Sequence, residues 1–274
     1  MRAFSKALAA LGMALSLCAC ATPRNDRDWY PYLSHTTQVE RAAESVTVRP
    51  VIDWSYAAEG PTEERLTEAR FSVADLRNVW FVLEPQPGSQ LTAHTFLLFE
   101  LADDRLIGIT IEARRERDED YSAVRGAFNA YELAYMWASA RDLLTRRAVF
   151  LQHETFIYPI MISDAQKRTL LTRLLARTEE LETRPRFYNT LTSNCTNELA
   201  KATDLRWHSS FILTGTADDH LFRLGLIPGA TFEEAHQRSD MTAFVKEMNF
   251  APRETFDAAL LAELRRRFYP SPPG

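Results

Sequence analysis

The sequence predicts an α+β protein, an antiparallel sheet packed with helices, carried behind an export signal. Three observations predict it. Leu91–Leu101 and Arg105–Arg114 are two runs rich in β-branched and apolar residues, apolar on both faces as central strands are, and joined by a short polar link. Ser163 opens a helical pattern whose Leu170, Leu171, Leu174, Leu175 and Leu181 fall along one stripe. Strand-like and helix-like segments interleave without the regular βαβ alternation that a parallel sheet requires.

The chain starts with Arg2 and Lys6, then an apolar run, Ala7–Leu17, of about eleven residues, too short for a bilayer. Leu17-Cys18-Ala19-Cys20 ends it in the manner of a lipobox, which marks Cys20 as the acylated residue of a mature lipoprotein; Cys18 is an unusual residue at its position. Ala21, in place of an aspartate, points to the outer membrane if the cell has one. An ordinary cleaved signal with two incidental cysteines is the plainer alternative. No later stretch is long and apolar enough to span a membrane.

Residues 20–45 are polar and read as anchor and tether, with Trp29 and Tyr30 packing on the domain or resting on the membrane. A weak strand signal covers Val46–Trp54, and a stronger one covers Val79–Leu83, ended by Pro85 and Pro87. Val149–Ile160 reads as another strand, Glu198–Leu205 and Asp218–Leu224 as short helices, and Glu254–Phe268 as a late amphipathic helix before a frayed ProSerProProGly end. The organisation expected is a signal peptide (1–19), an anchor and tether (20–45), a domain (46–230) and a C-terminal helical extension (231–274).

Removing Arg2 and Lys6 with the signal leaves 30 basic residues against 37 acidic, a net charge near −7. With no basic cluster interleaved with aromatics, nucleic acid is not an expected partner. Nine glycines in 274 residues leave little for a nucleotide-cradling loop. There is no GlyXxxSerXxxGly elbow, no HisGluXxxXxxHis and no paired-cysteine spacing, so neither metal nor cofactor is expected.

With Cys20 acylated and Cys18 removed, Cys195 is the one thiol left, in an oxidising compartment. Thr192-Ser193-Asn194 supplies N-cap residues directly before it, and AsnGluLeuAlaLysAla after it favours helix. Cys195 is therefore expected in a first helical turn, where unpaired N–H groups and the helix dipole favour the thiolate. The same region, Asn194 and Thr196 included, can support an oxyanion. The bland alternative is a small buried hydrophobe at a helix start.

A thiolate enzyme needs a base. His35 lies in the tether, His208, His220 and His236 in polar surroundings, and His153 on the expected strand as a core or edge residue. His94 is different, an imidazole in an almost wholly apolar strand, where it needs a polar partner. Positions 94 and 112 differ by an even number, so a three-residue loop Ala102–Asp104, with Asp104 left-handed, makes His94 and Glu112 cross-strand neighbours on one face. Glu112 can then fix the tautomer of His94; its alternative is a salt bridge to Arg114 or Arg115.

Ala93-His94-Thr95-Phe96-Leu97, Ile111-Glu112-Ala113-Arg114-Arg115-Glu116 and Phe187–Thr196, with Leu213-Thr214-Gly215 through Ile227, together resemble the Lnb-type N-terminal periplasmic domains across roughly residues 75–230. The resemblance implies a circularly permuted papain-like core, with His94 at the strand histidine and Cys195 at the nucleophile; Glu112 falls in the acidic motif. It also implies transfer of a fatty acyl chain between lipid and lipoprotein, although the membrane-embedded region that goes with that activity is missing here.

The function expected is an envelope lipoprotein with thiol-dependent acyltransferase or hydrolase activity on lipid or lipoprotein acyl groups. Its membrane partner is reached through the anchor. The rivals are a peptidoglycan peptidase or amidase with the same residues, and a non-catalytic envelope protein that binds lipid or a partner.

Overall fold

The structure, a computed structural model, describes residues 22–269. Cys20, its neighbour Cys18 and the signal run lie outside the described residues. Eleven strands form among the described residues: β1 Gln38–Arg41, β2 Val46–Ile52, β3 Ser55–Ala57, β4 Gly60–Glu63, β5 Leu66–Phe71, β6 Leu76–Pro85, β7 Ala93–Leu101, β8 Leu106–Arg114, β9 Tyr131–Ser139, β10 Phe156–Pro159 and β11 Phe187–Tyr188. The helices are α1 Ala123–Ala127, α2 Ala140–Thr145, α3 Asp164–Thr183, α4 Cys195–Lys201, α5 Ala217–Arg223, α6 Phe232–Ser239, α7 Thr242–Met248 and α8 Phe256–Phe268.

The main sheet runs β1-β2-β9-β8-β7-β6-β10, with β5 added on β2 and β11 on β9. All its pairings are antiparallel except the short β2–β9 contact, and β3–β4 forms a separate hairpin. The class is α+β, a mostly antiparallel sheet between helices.

The alternation of side chains along central strands explains the layers. On one face Phe81, Leu97, Phe99, Ile109 and Trp137 pack against Leu170, Leu171, Leu174 and Leu175 of α3 and Leu199 of α4. On the other, Trp80, Val82, Phe96, Leu98 and Met136 pack against Leu143 and Leu144 of α2, Val245 of α7 and Leu260, Leu261 and Leu264 of α8. The helices after residue 231 are thus built into the core, α6 through Ala235 on the first face and α7 and α8 on the second. Among the described residues no helix is long and apolar enough to cross a membrane.

Two expectations are corrected. Val149–Ile160 is a strand only over Phe156–Pro159; its start belongs to a π-helical turn, Arg146–Phe150, that prolongs α2. The supposed tether is built into the domain from residue 24 onward. The Arg24 backbone N–H donates to Glu132, Trp29, Tyr32 and Leu33 are buried, and β1 adds a strand to the sheet. Arg114 stacks on Trp29 at 4.2 Å, one aromatic contact that holds this polar stretch down.

Candidate functional site

β7 and β8 are joined by the three-residue loop, with Asp104 at φ 59°. The Leu101 N–H donates to the Arg105 carbonyl across it, and the register runs from Glu100 against Leu106 to Phe96 against Thr110. Carried two positions further, it sets His94 opposite Glu112. His94 Nε2 lies 3.2 Å from Glu112 Oε1 and 2.6 Å from the Thr110 hydroxyl, which itself donates to Glu112 at 2.8 Å. With Nε2 so engaged, Nδ1 is the nitrogen left to exchange a proton with another group.

Cys195 opens α4 as the sequence pattern predicts. Asn194 is the N-cap: its side-chain oxygen accepts from the Asn197 N–H at 2.8 Å. Its amide group donates to the Thr190 and Phe211 carbonyls, so the whole side chain is spent on positioning the helix start. Thr196 pairs its hydroxyl with that of Thr95 at 2.9 Å, 3.9 Å from the Cys195 sulfur. Any support that these two residues give an oxyanion must therefore come from elsewhere than the Asn194 amide. The N–H groups of Cys195 and Thr196, first-turn donors, have no carbonyl four residues back in the helix to receive them.

The sulfur is buried, yet it lines a cleft of about 440 Å³ with His94, Glu112, Tyr188 and Thr214. Burial disfavours the thiolate, but the adjacent His94 imidazole, aided by the Thr95 N–H and hydroxyl, outweighs it and lowers the Cys195 pKa. For His94, burial opposes the charge, while Glu112 and then Cys195 favour it and push its pKa up to about 10. Glu112 is driven the other way: burial would raise it, but His94, Arg147 and Thr110 hold it well below the usual carboxylate range. The cleft thus favours a thiolate–imidazolium pair over a neutral thiol and imidazole. Burial, and after it the Cys195 charge, raise the Tyr188 pKa, which keeps that phenol a donor.

Sequence reasoning missed the support behind Glu112. Arg147, buried, donates to Glu112 at 3.2 Å and to Glu84 at 2.9 Å, and Glu84 in turn meets His153 Nδ1 at 2.6 Å. Burial raises the Glu84 pKa, but Arg147 and His153 more than reverse this and lower it. His153 is accordingly a loop residue on the wall of the same cleft, not a strand residue. Glu84 faces His94 across β6 and β7, a pairing the sequence could have yielded had the β6 register been fixed. Among the other histidines, His208 and His220 stack on each other at 3.6 Å, and His236 bonds Tyr158 and the buried Asp218. Among the described residues no cluster of His, Cys, Asp or Glu has the arrangement of a metal site.

Below α4, a second cavity of about 250 Å³ is lined by Leu97, Thr196, Leu199, Phe211 and Leu221. It is largely apolar, with Gln166, Arg173, Asp204 and His220 also on its wall, and it reaches Thr196, one residue from the sulfur.

The model of the Lnb N-terminal periplasmic domain family matches residues 62–220, a span that contains His94, Glu112 and Cys195. No curated protein and no solved structure matches the chain.

Proposed function

The chain belongs to the Lnb N-terminal periplasmic domain family, a family of the cell envelope, and from that premise we propose that it is a thiol-dependent acyltransferase or hydrolase. One observation carries the reading: the Cys195 sulfur at a helix start shares the wall of one cleft with the His94 imidazole, whose Nε2 is held by the Glu112 carboxylate, an arrangement that lowers the thiol pKa. Isolated buried cysteines do not need such surroundings.

In this reading His94 takes the Cys195 proton, and the thiolate attacks an ester or amide carbonyl. The first-turn N–H groups are the donors available to the tetrahedral oxyanion. Collapse breaks the bond to the leaving alcohol or amine, which departs with the proton from His94, and leaves a thioester on Cys195. An amine or water, deprotonated by His94, then attacks that thioester; the acyl group leaves and the thiolate is regenerated. The apolar cavity next to Thr196 supports a hydrocarbon acyl group over a peptide. The reading takes the fold as a permuted papain-like core, His94 on a strand ahead of Cys195 on a helix.

It also takes Cys20 as lipidated and the protein as held at the outer membrane. Since residue 24 is already docked on the domain, the chain between it and Cys20 reaches at most about 14 Å, so the domain would lie against the bilayer. Such tethering raises the effective concentration of lipid substrates.

The test is intact-mass analysis of the full-length protein after incubation with an activated acyl ester. An acyl adduct on Cys195, absent in Cys195→Ala and slowed about a hundredfold in His94→Ala, is expected. No adduct on the folded wild type would sink the proposal.

A further inference from the structure

The cleft is lined by two guanidiniums that make no ion pair with any carboxylate among the described residues, Arg115 and Arg146. Each is half-buried and held by aromatic faces instead. Arg146 lies 4.4 Å over the Tyr32 ring and 5.9 Å from that of Phe150; Arg115 lies 5.5 Å over Tyr30 and donates once, to the Glu119 carbonyl at 3.2 Å. Stacking occupies the flat face of a guanidinium and leaves its in-plane N–H edge available to another acceptor.

Their chain neighbour Arg147 provides the contrast. It has taken both acidic side chains of the cleft, Glu84 and Glu112, which are further engaged by His153 and by His94 and Thr110. No carboxylate in the cleft is left for Arg115 or Arg146. The rings give each half-buried cation roughly 0.5–2 kcal/mol, and neither the one carbonyl on Arg115 nor the longer-range pull of the buried Asp142 on Arg146 is the charge-assisted bidentate partner that would supply more. Arg146 also begins the π-helical turn, a geometry found frequently at functional sites.

We propose that Arg115 and Arg146 form an anion subsite that binds a phosphate group of the substrate beside Cys195. Two planar forks suit a tetrahedral group with several free oxygens. They also place positive potential at the mouth of a site in a chain of net charge −5, which would otherwise repel an anionic substrate. The subsite rests on reading the cleft as the acyl-transfer site, and it makes the acyl donor a phosphate-bearing ester, whether a lipid headgroup or a soluble phosphate ester.

The experiment alkylates Cys195 in the full-length protein with iodoacetate and with iodoacetamide, which share one chemistry and differ by one negative charge. The ratio of the two rates, compared with that of free cysteine, is expected to favour iodoacetate by about tenfold, and to lose that preference in the R115Q/R146Q double variant. The ratio cancels any general loss of reactivity. In the wild type alone, raising the salt to about 0.5 M should flatten the preference, which keeps the test independent of the variant's folding. Phosphatidylglycerol vesicles that protect Cys195 where the same concentration of inorganic phosphate does not would identify a lipid headgroup; equal protection would identify the free phosphate group. A ratio equal to that of free cysteine, or one unmoved by the double variant whatever salt does, overturns the subsite. Failure of both reagents to label the folded protein overturns the thiol-enzyme reading instead.

Discussion

Replacing Glu112 by glutamine keeps the shape of the side chain and removes its charge, so it isolates what holds a proton on His94. Glu112 Oε1 lies 3.2 Å from His94 Nε2. At that distance, with an effective dielectric near 20, two unit charges attract by about 5 kcal/mol, or nearly four pH units. That magnitude accounts for a His94 pKa pushed up to about 10 in spite of burial, with Cys195 adding to it. In Glu112→Gln, His94 should therefore titrate about two to four units lower. The assay is a carbon-detected NMR titration of the six histidines, with His94 assigned from the spectrum of His94→Gln. A shift smaller than one unit would show that the carboxylate is not what holds the imidazolium. The linkage has a definite sign. The stability contributed by a raised His94 is complete below about pH 6.5 and is lost as pH rises through about 10. That of a depressed Glu112 is present above about pH 4.5 and is lost as pH falls further. The stability gap between wild type and Glu112→Gln should then be widest between about pH 5 and 6.5 and should narrow toward pH 10.

Arg147→Met leaves Glu84 and Glu112 buried without their shared cation and should cost about 3–5 kcal/mol in denaturant unfolding; a loss below about 1 kcal/mol would mean that water compensates the pair. Leu174→Ala, at a fully buried position between α3 and the sheet, should cost about 2–5 kcal/mol by the same measurement, with Tm falling accordingly. Ala200→Phe fills part of the apolar cavity below α4 and should cut turnover of long-chain acyl esters about tenfold more than that of acetyl esters. Equal effects on both chain lengths would remove the cavity from substrate binding.

The β7–β8 hairpin was legible because parity is unforgiving in a sheet. One residue more or less in the loop would have turned Glu112 to the opposite face, and Asp104 is one of the few residue types that tolerates the left-handed position this loop needs. The start of α4 was legible for a similar local reason, since an asparagine before a helix-favouring run has few other roles. The Val149–Ile160 assignment failed where no periodicity existed to read. α2 and the turn after it are buried on nearly every side, and a continuous apolar run does not distinguish a buried helix from a central strand. For the residues before β1, packing of Trp29 and Tyr30 on the domain was one expectation, but the polar composition hid how fully the segment is built in, because burial of Trp29, Tyr32 and Leu33 and stacking on Arg114, Arg115 and Arg146 depend on groups far away in sequence. Arg147 escaped notice for the same reason: its carboxylates lie 63 and 35 positions earlier, and only the folded sheet brings them together.

The alternation of charge through the cleft explains why this arrangement suits a thiolate better than a lone histidine would. Moving the proton from Cys195 to His94 changes no net charge; it separates charge, and separated charge in a buried place is costly unless each end meets an opposite partner. The imidazolium end meets Glu112. Glu112 would itself be costly to bury as an anion, but His94, and after it Arg147 and Thr110, hold it ionised, and Arg147 is balanced in turn by Glu84. Each member therefore fixes the protonation state of the next, so that a change at Arg147, remote from the sulfur, should be read in the acid limb of Cys195 alkylation. Removing Arg147 takes away one of the two cations that hold Glu112 ionised, His94 being the other and the stronger, so Glu112 should take up a proton at a higher pH than in the wild type. Once it has done so it no longer favours the imidazolium, and the acid limb moves up in pH even though no atom next to the sulfur has changed.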